Sequence, residues 1–356
     1  MNKQVNIGLI GFGIGGQIFH APFISGIDGF ILKTIRCTNP AHVLLAEQQY
    51  PGTEIVPDSE MIINDPAIDL VVITTPNTLH YPLAKAALQA GKHVVLDKPF
   101  TIDTPEADEL IALAASKHRL LTVYHSRRLD SDFLTVKKII DSGVLGEVVE
   151  FENHFDRFRN FLKPGAWRED AVPGAGILYD LGSHLIDQVL TLFGLPDAVT
   201  ADLRIQRKGG KADDNFEVVM HYKTVKATIK AGMLVREALP RFIVLGNNGS
   251  FIKYGLDVQE EALKAGDRPH LNKQWGIEPP AIWGRLNTSF NGIHFIGNVE
   301  SEVSDYTRFY HNVYDAITTG KELIIKPLEA RNVIRIIELA MQSNAEKRTV
   351  AYTGNQ

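Results

Sequence analysis

The chain has 356 residues, 44% of them hydrophobic, 22% charged and 8% aromatic, which excludes a disordered or fibrous protein and supplies enough material for two domains. Thirty-seven Lys plus Arg against 42 Asp plus Glu leave a net charge of -5, so the bulk charge favours neither nucleic acid nor an anionic membrane, and a small-molecule partner is expected. The single cysteine, Cys37, allows no internal disulfide and no cysteine-rich metal site.

The chain opens MNKQVNIGLIGFGIGG, passing straight into an apolar strand without a signal-type stretch. Glycine, lysine or aspartate interrupts each apolar run before the ~18 residues of a membrane span, so a cytoplasmic protein is expected. Directly after the strand, Gly11, Gly13 and Gly16 form GxGxxG with Phe12 and Ile14 between them, and a helical segment follows. The first glycine permits a tight turn, the second lets backbone amides approach a pyrophosphate, and the third lets helix and strand pack closely. The next apolar run, FILKTIRC, ends in Arg36, Cys37, Thr38 and Asn39. A dinucleotide site for NAD usually places a carboxylate there for the ribose 2′-hydroxyl. Its absence, with Arg36 supplying a cation where a 2′-phosphate would lie, points to NADP, with NAD as the alternative.

Three more apolar runs, DLVVITT, HVVLD and LLTVYH, alternate with helical stretches such as YPLAKAALQAGK and PEADELIALAASKH. This alternation predicts a doubly wound parallel α/β sheet with crossover helices. The run HVVL is followed by Asp97, Lys98 and Pro99, so Lys98 is expected at the carboxyl end of a strand, where ligands of open α/β sheets gather.

Beyond about Tyr124 the pattern changes. After one helical stretch, DFLTVKKIIDSG, come strands that alternate faces, with Val199, Ala201, Leu203 and Ile205 on one side and Thr200, Asp202, Arg204 and Gln206 on the other. Phe216, Val218, Met220 and Tyr222 repeat the apolar face, as do Ala227, Ile229, Ala231 and Met233, which predicts a large, mostly antiparallel open sheet in an α+β domain. Before these strands, ILYDLGSHLIDQVLTLFGLP reads as a helix over about 178–193, with Asp180, His184 and Asp187 along one stripe and Leu178, Leu181, Leu185, Val189 and Leu192 on an apolar side. Gly182 in its middle costs about 1 kcal/mol relative to alanine, which suggests a ring or strand close by. EARNVIRIIELAMQSNAEKR has helical spacing and is expected as a C-terminal helix.

Taken together, GxGxxG, TTPNTLH, DKP and DLGSH in this order resemble the Gfo/Idh/MocA oxidoreductase family over essentially the whole chain. FHAPFI, SRRLDSDFLTVKKI, FENHFDRFR and GSFIKYGLDVQEEALKAG are similar to the branch containing NADP-dependent scyllo-inositol dehydrogenases. The resemblance implies an N-terminal Rossmann domain over 1–123 and a substrate-binding and oligomerisation domain over 124–356. It also implies hydride transfer between nicotinamide and a secondary alcohol or ketone of a cyclic polyol or sugar, without a metal, in a homodimer or homotetramer. His184 is then the general acid/base, Lys98 the donor to the substrate oxygen, and Asp180 the group that holds substrate hydroxyls or the His184 tautomer. Thr75, Pro76, Asn77 and His80 line the nicotinamide side of the cofactor site, with Asp97 beside them. His125, Asp156, Arg157 and Arg168 are further candidates for polyol or cofactor contacts. Two alternatives are the same chemistry on another sugar or a tetrapyrrole, and a cofactor-sensing regulator. The regulator is opposed by retention of Lys98, Asp180 and His184 and by the lack of a helix-turn-helix or basic arm.

Overall fold

A computed structural model describes residues 3–353. The chain packs into two compact units: one holds everything through Ser126 together with Gln259–Trp275 and Asp305–Arg331, the other Arg127–Val258, Gly276–Ser304 and the chain from Asn332 onward. A single cut at 123/124 would assign residues 259–275 and 305–331 to the second domain, whereas both segments pack with the first unit. Their periodicity marks them as amphipathic but carries no information about which core they cover. The aromatic residues of helix Thr307–Thr319 and its N-cap settle it, since Tyr310 packs edge-on to Phe30 and tilted against Tyr124, and the N-cap Tyr306 packs edge-on to Phe23. Thr122 Oγ1 also donates to Ile325 O at 2.7 Å.

The first unit is built on a parallel sheet of six strands: β1 (Val5–Ile10), β2 (Phe30–Arg36), β3 (Glu54–Val56), β4 (Leu70–Ile73), β5 (His93–Leu96) and β6 (Leu121–Val123), in the order β3-β2-β1-β4-β5-β6. The strand order reverses at β1/β4, which brings the ends of β1, β4 and β5 together as the ligand-collecting edge of a doubly wound sheet. Every residue of β4 is buried, as expected of a strand covered on both faces. The predicted runs all form strands, and β3, with only three residues, is the addition. Helix His80–Gln89 ends as expected at Gly91, which has φ +77°. Helix Thr104–Ser116 has Asp103 as N-cap, accepting from Glu106 N at 3.0 Å.

The second unit carries a nine-stranded sheet. Its strands are β7 (Val148–His154), β8 (Ala198–Arg204), β9 (Asn215–His221), β10 (Lys226–Gly232), β11 (Phe242–Gly246), β12 (Gly249–Lys253), β13 (Gly284–Phe290), β14 (Ile293–Val299) and β15 (Val350–Ala351). The order is β14-β13-β12-β11-β7-β10-β9-β8-β15, antiparallel except where β10 runs parallel to β7. Register places Val199, Ala201 and Leu203 opposite Met220, Val218 and Phe216, so the alternation seen in the sequence forms one apolar face. Helix Ser183–Phe193 packs on that face, with the Phe193 and Phe151 rings 5.4 Å apart. The opposite face carries Lys226–Glu150 and Lys230–Glu217 ion pairs at 2.5 and 3.1 Å. Among the described residues, no helix is long and apolar enough to cross a membrane.

Candidate active site

In the first unit the glycine-rich turn leaves β1 at Gly11, whose φ of +104° only glycine adopts without strain. Thr74, one residue beyond β4, pins the turn by donating its hydroxyl to Gly11 O at 2.7 Å. A Cβ on Gly16 would stand 2.4 Å from Gly11 O, so the third glycine is required for the turn to close on the helix. A Cβ on Gly13 would meet no protein atom within 4 Å, so the space over the second glycine is open to a ligand. Ile14 is 72% exposed, while Phe12 is buried edge-on to Tyr50. This open cradle of main chain fits a dinucleotide pyrophosphate. The segment that follows, Gly15–His20, is a π-helical turn that passes into an α-turn over Ala21–Ile24. Pro22 has no N–H to offer an α-helical ladder there, and the irregularity swings the buried His20 ring toward the ends of the strands.

At the end of β2, Arg36 donates Nε–H to Pro57 O at 3.1 Å, a bond that fixes the guanidinium at the sheet edge using Nε alone. Thr38 is exposed, and Asn39 caps helix Pro40–Gln49 by accepting from Ala41 N at 3.0 Å and His42 N at 3.3 Å. Cys37 is buried.

Thr75, Pro76 and Asn77 follow β4, with Pro76 exposed and Asn77 buried; Thr75 is half-buried, its hydroxyl enclosed without a hydrogen-bond partner. His80 departs from its expected role of lining the cofactor site. Its ring is fully buried, with Nδ1 2.8 Å from Pro99 O and Nε2 3.0 Å from Thr75 O, so it ties the loop after β4 to the loop after β5. Burial lowers its pKa, against Asp97 and the two carbonyls, which raise it. Lys98 is half-buried at the end of β5, and its N–H donates to Asp97 Oδ1 at 2.8 Å. Burial alone would raise the Asp97 carboxyl, but His20, Lys98 and His80 outweigh it and hold the group at about 2. Asp97 Oδ2 lies 3.0 Å from where a Cβ on Gly15 would stand, so this carboxylate abuts the glycine-rich turn.

In the second unit the expected helix forms without a break, opening with a π-helical turn over Leu178–Gly182 and continuing as α-helix over Ser183–Phe193. Gly182 stands at the junction, where a Cβ would meet the Leu178 side chain at 2.9 Å and the Phe216 ring at 3.4 Å, so a neighbouring ring does approach it. The start of the turn is held by Asp213, which accepts from Leu178 N at 2.8 Å, and burial raises its carboxyl to about 6. Gly176, with φ +87°, leaves the space that the Asp213 carboxylate fills. Asp180 is half-buried and faces Arg168 Nε at 3.4 Å, while His184, one turn on, is buried. Asp187 is a different kind of residue: Arg128 Nε and Nη2 both donate to it at 2.7 Å, a bidentate pair that satisfies its buried carboxylate.

The remaining candidates are dispersed. His125 is buried at the end of β6 in the first unit. Asp156 Oδ2 lies 3.3 Å from His154 Nδ1, while His154 Nε2 lies 3.0 Å from Glu152, so Asp156 is engaged in an imidazole–carboxylate group on the sheet. Arg157 stacks over the Phe155 ring at 5.1 Å and Arg168 over Trp167 at 4.7 Å, leaving Arg168 the one cation of this set joined to Asp180. Thr74, His20 and Asp213 were not singled out from the sequence. The only signals for them were the doubled threonine before Pro76, a histidine just past the glycine-rich turn, and an acidic residue ahead of a strand.

A parallel doubly wound sheet with an open glycine-rich cradle, a lysine at a strand end and an Asp/His pair on a helix turn define an oxidoreductase with an NAD(P)-binding Rossmann fold. Residues 5–125 match the family description "Oxidoreductase family, NAD-binding Rossmann fold" and residues 137–352 match "Oxidoreductase family, C-terminal alpha/beta domain". The chain belongs to the Gfo/Idh/MocA oxidoreductase family of NAD(P)-dependent dehydrogenases acting on CH–OH groups. It is 40% identical over 346 residues to scyllo-inositol 2-dehydrogenase (NADP(+)) IolW of Bacillus subtilis, covering 97% of this chain and 95% of that protein. It is 42% identical over 351 residues to the uncharacterized oxidoreductase YdgJ of Escherichia coli, covering 98% and 99%. A solved structure of the oxidoreductase yvaA from Bacillus subtilis superposes with a TM-score of 0.95 at 38% identity, covering 99% of each chain.

Proposed function

We propose that this protein is an NADP-dependent dehydrogenase that interconverts a secondary alcohol and ketone on a cyclic polyol or sugar of the scyllo-inositol/inosose kind. The observation that carries this reading is near full-length similarity to an NADP-dependent scyllo-inositol 2-dehydrogenase in a chain that keeps Lys98, Asp180 and His184. The bound nicotinamide supplies the carbon that accepts or returns the hydride. Gly11, Phe12, Gly13, Ile14 and Gly16 hold the pyrophosphate through main-chain amides, and Thr75, Pro76 and Asn77 form the nicotinamide side, with Asp97 and the His80 clamp behind them. Arg36 and Thr38 favour the 2′-phosphate of NADP, because the end of β2 offers it a cation and no carboxylate.

His184 takes the substrate hydroxyl proton, since an imidazole titrates near working pH. Lys98 donates to the same oxygen and steadies the charge that develops there. Asp180, oriented by Arg168, holds neighbouring hydroxyls or the His184 tautomer. His125, Asp156 and Arg157 contribute outer polyol contacts. The protein acts in the cytoplasm as a homodimer or homotetramer, which light scattering over a concentration series checks.

The test is a turnover screen of inososes, ketoses and aldoses with NADPH and NADH. The reading expects inosose reduction with NADPH to dominate. Turnover confined to open-chain sugars would refute the substrate class, and an NADH preference would refute the cofactor.

A further inference from the structure

Behind the candidate cofactor edge of the first unit lies a buried line of polar groups that the reaction scheme does not use. His20 is fully buried, its Nδ1 lies 2.5 Å from the Tyr310 hydroxyl, and its Nε2 lies 3.8 Å from Asp97 Oδ1. Tyr310 is also fully buried, and burial pushes its pKa well above the ordinary phenol value, so it remains protonated. A buried phenol that only accepted a hydrogen bond would leave its own proton unsatisfied. Tyr310 therefore donates to Nδ1, which holds the ring with Nε2 on the side facing Asp97. The Tyr124 ring packs against the imidazole at 4.5 Å and prevents it from turning away.

Asp97 is the end point of this line and touches two parts of the cofactor machinery. Oδ1 accepts from the Lys98 N–H at 2.8 Å, and Oδ2 lies against Gly15, 3.0 Å from the position a Cβ would take. Its side chain is 22% exposed, so its charge is only partly screened by solvent. Tyr310 holds the His20 ring through Nδ1, so the Nε2 edge of the ring stays on the side of this carboxylate, 3.8 Å from Oδ1. The two redox forms of a nicotinamide differ by one positive charge on the ring. A fixed anion at the edge where that ring binds discriminates between them.

Resting on the proposed cofactor reading, we propose that Tyr310 and His20 are positioning residues for Asp97, and that the Asp97 carboxylate makes the first unit favour the oxidised, positively charged nicotinamide over the reduced one. Tyr310 comes from helix Thr307–Thr319, far along the chain from the glycine-rich turn, which gives that helix a functional reason to pack with the first unit.

Dissociation constants of NADP+ and NADPH, measured by titration calorimetry on the full-length protein without substrate, test this. Asp97→Asn is expected to raise the ratio of the NADP+ to the NADPH constant about three- to tenfold, the size of one partly screened charge interaction. Asp97→Glu keeps the charge and is expected to leave the ratio within about twofold. Tyr310→Phe and His20→Gln are expected to move the ratio the same way as Asp97→Asn but less. An unchanged ratio in Asp97→Asn overturns the electrostatic role, and an unchanged ratio in both Tyr310→Phe and His20→Gln overturns the positioning role. If Asp97→Asn does not fold, Tyr310→Phe, which removes one oxygen, decides. Failure of the wild-type protein to bind either cofactor would instead reject the parent reading.

Discussion

The two units assemble their candidate groups by different physical means. In the first, the main chain shapes an open turn: Gly11 bends it, Gly13 leaves space over it, Gly16 lets it close on the helix, and Thr74 pins it with one hydrogen bond. In the second, the candidate groups are side chains on one short helical segment, and they are sorted by their partners. Asp180 and Asp187 sit two turns apart on consecutive helical segments, yet the first meets Arg168 at 3.4 Å at the surface while the second is locked by Arg128 inside the unit. A main-chain site tolerates changes of side chain but no added Cβ, whereas a side-chain site depends on which of several like residues is left accessible.

The largest effects should fall on the groups proposed to act on the substrate. Lys98→Ala and His184→Ala are each expected to lower kcat by about 10²- to 10⁴-fold while NADPH affinity stays within a few-fold, as steady-state kinetics alongside cofactor titration would measure. Full turnover in either would remove that residue from the mechanism. Gly13→Val sharpens the main-chain half of the comparison. Because a Cβ there meets no protein atom within 4 Å, the variant should fold and melt like the parent while losing about 100-fold or more in cofactor affinity. Arg36→Ala should cut kcat/KM for NADPH about tenfold or more and leave NADH almost unaffected, which kinetics with both cofactors would reveal.

The side-chain half is tested on its two aspartates. Asp187→Ala should cost about 3 kcal/mol of stability in urea unfolding, because it removes the carboxylate that receives two charged hydrogen bonds from the half-buried Arg128 guanidinium. Asp180→Ala should cost less than about 1 kcal/mol, since its partner is 49% exposed, yet it should impair turnover. The reverse pattern would show that the wrong aspartate has been assigned to the site.

The smallest effect concerns His154. Burial lowers its pKa, but Asp156 and Glu152 outweigh this and raise it above the ordinary 6.5. A raised imidazole contributes stability that is complete below about 6.5 and is lost as pH rises through the folded value. The urea midpoint should therefore decline modestly between pH 6 and 8, and His154→Gln should flatten that decline. An identical slope in the variant would show that the group does not couple to folding.

The glycine-rich turn, the strand carrying Lys98 and the helix carrying His184 were all readable because each is local. Periods of 2 and 3.6 and glycine spacing report what a short stretch can bury. The same logic found the helix over Leu178–Phe193 but not the π-helical turn that opens it, since that turn leaves Gly182 against the Phe216 ring of β9, which lies beyond the local window. It placed His80 among the cofactor-lining residues because TTPNTLH is contiguous, whereas the ring turns inward to two carbonyls. It also passed over His20, whose buried neighbours Asp97 and Tyr310 stand at distant positions in the chain.

The sequence by itself determined the class of fold, the glycine-rich turn and the strand and helix that carry the candidate side chains, because those depend on residue type and short-range spacing. Only the tertiary structure decided that residues 259–275 and 305–331 complete the first unit, that Asp187 is consumed by Arg128, and that Tyr310 and His20 stand behind Asp97. Each of these is a pairing between residues far apart in the chain. An amphipathic face or a charged side chain states that it needs a partner, but the packing of the whole chain chooses which one it gets.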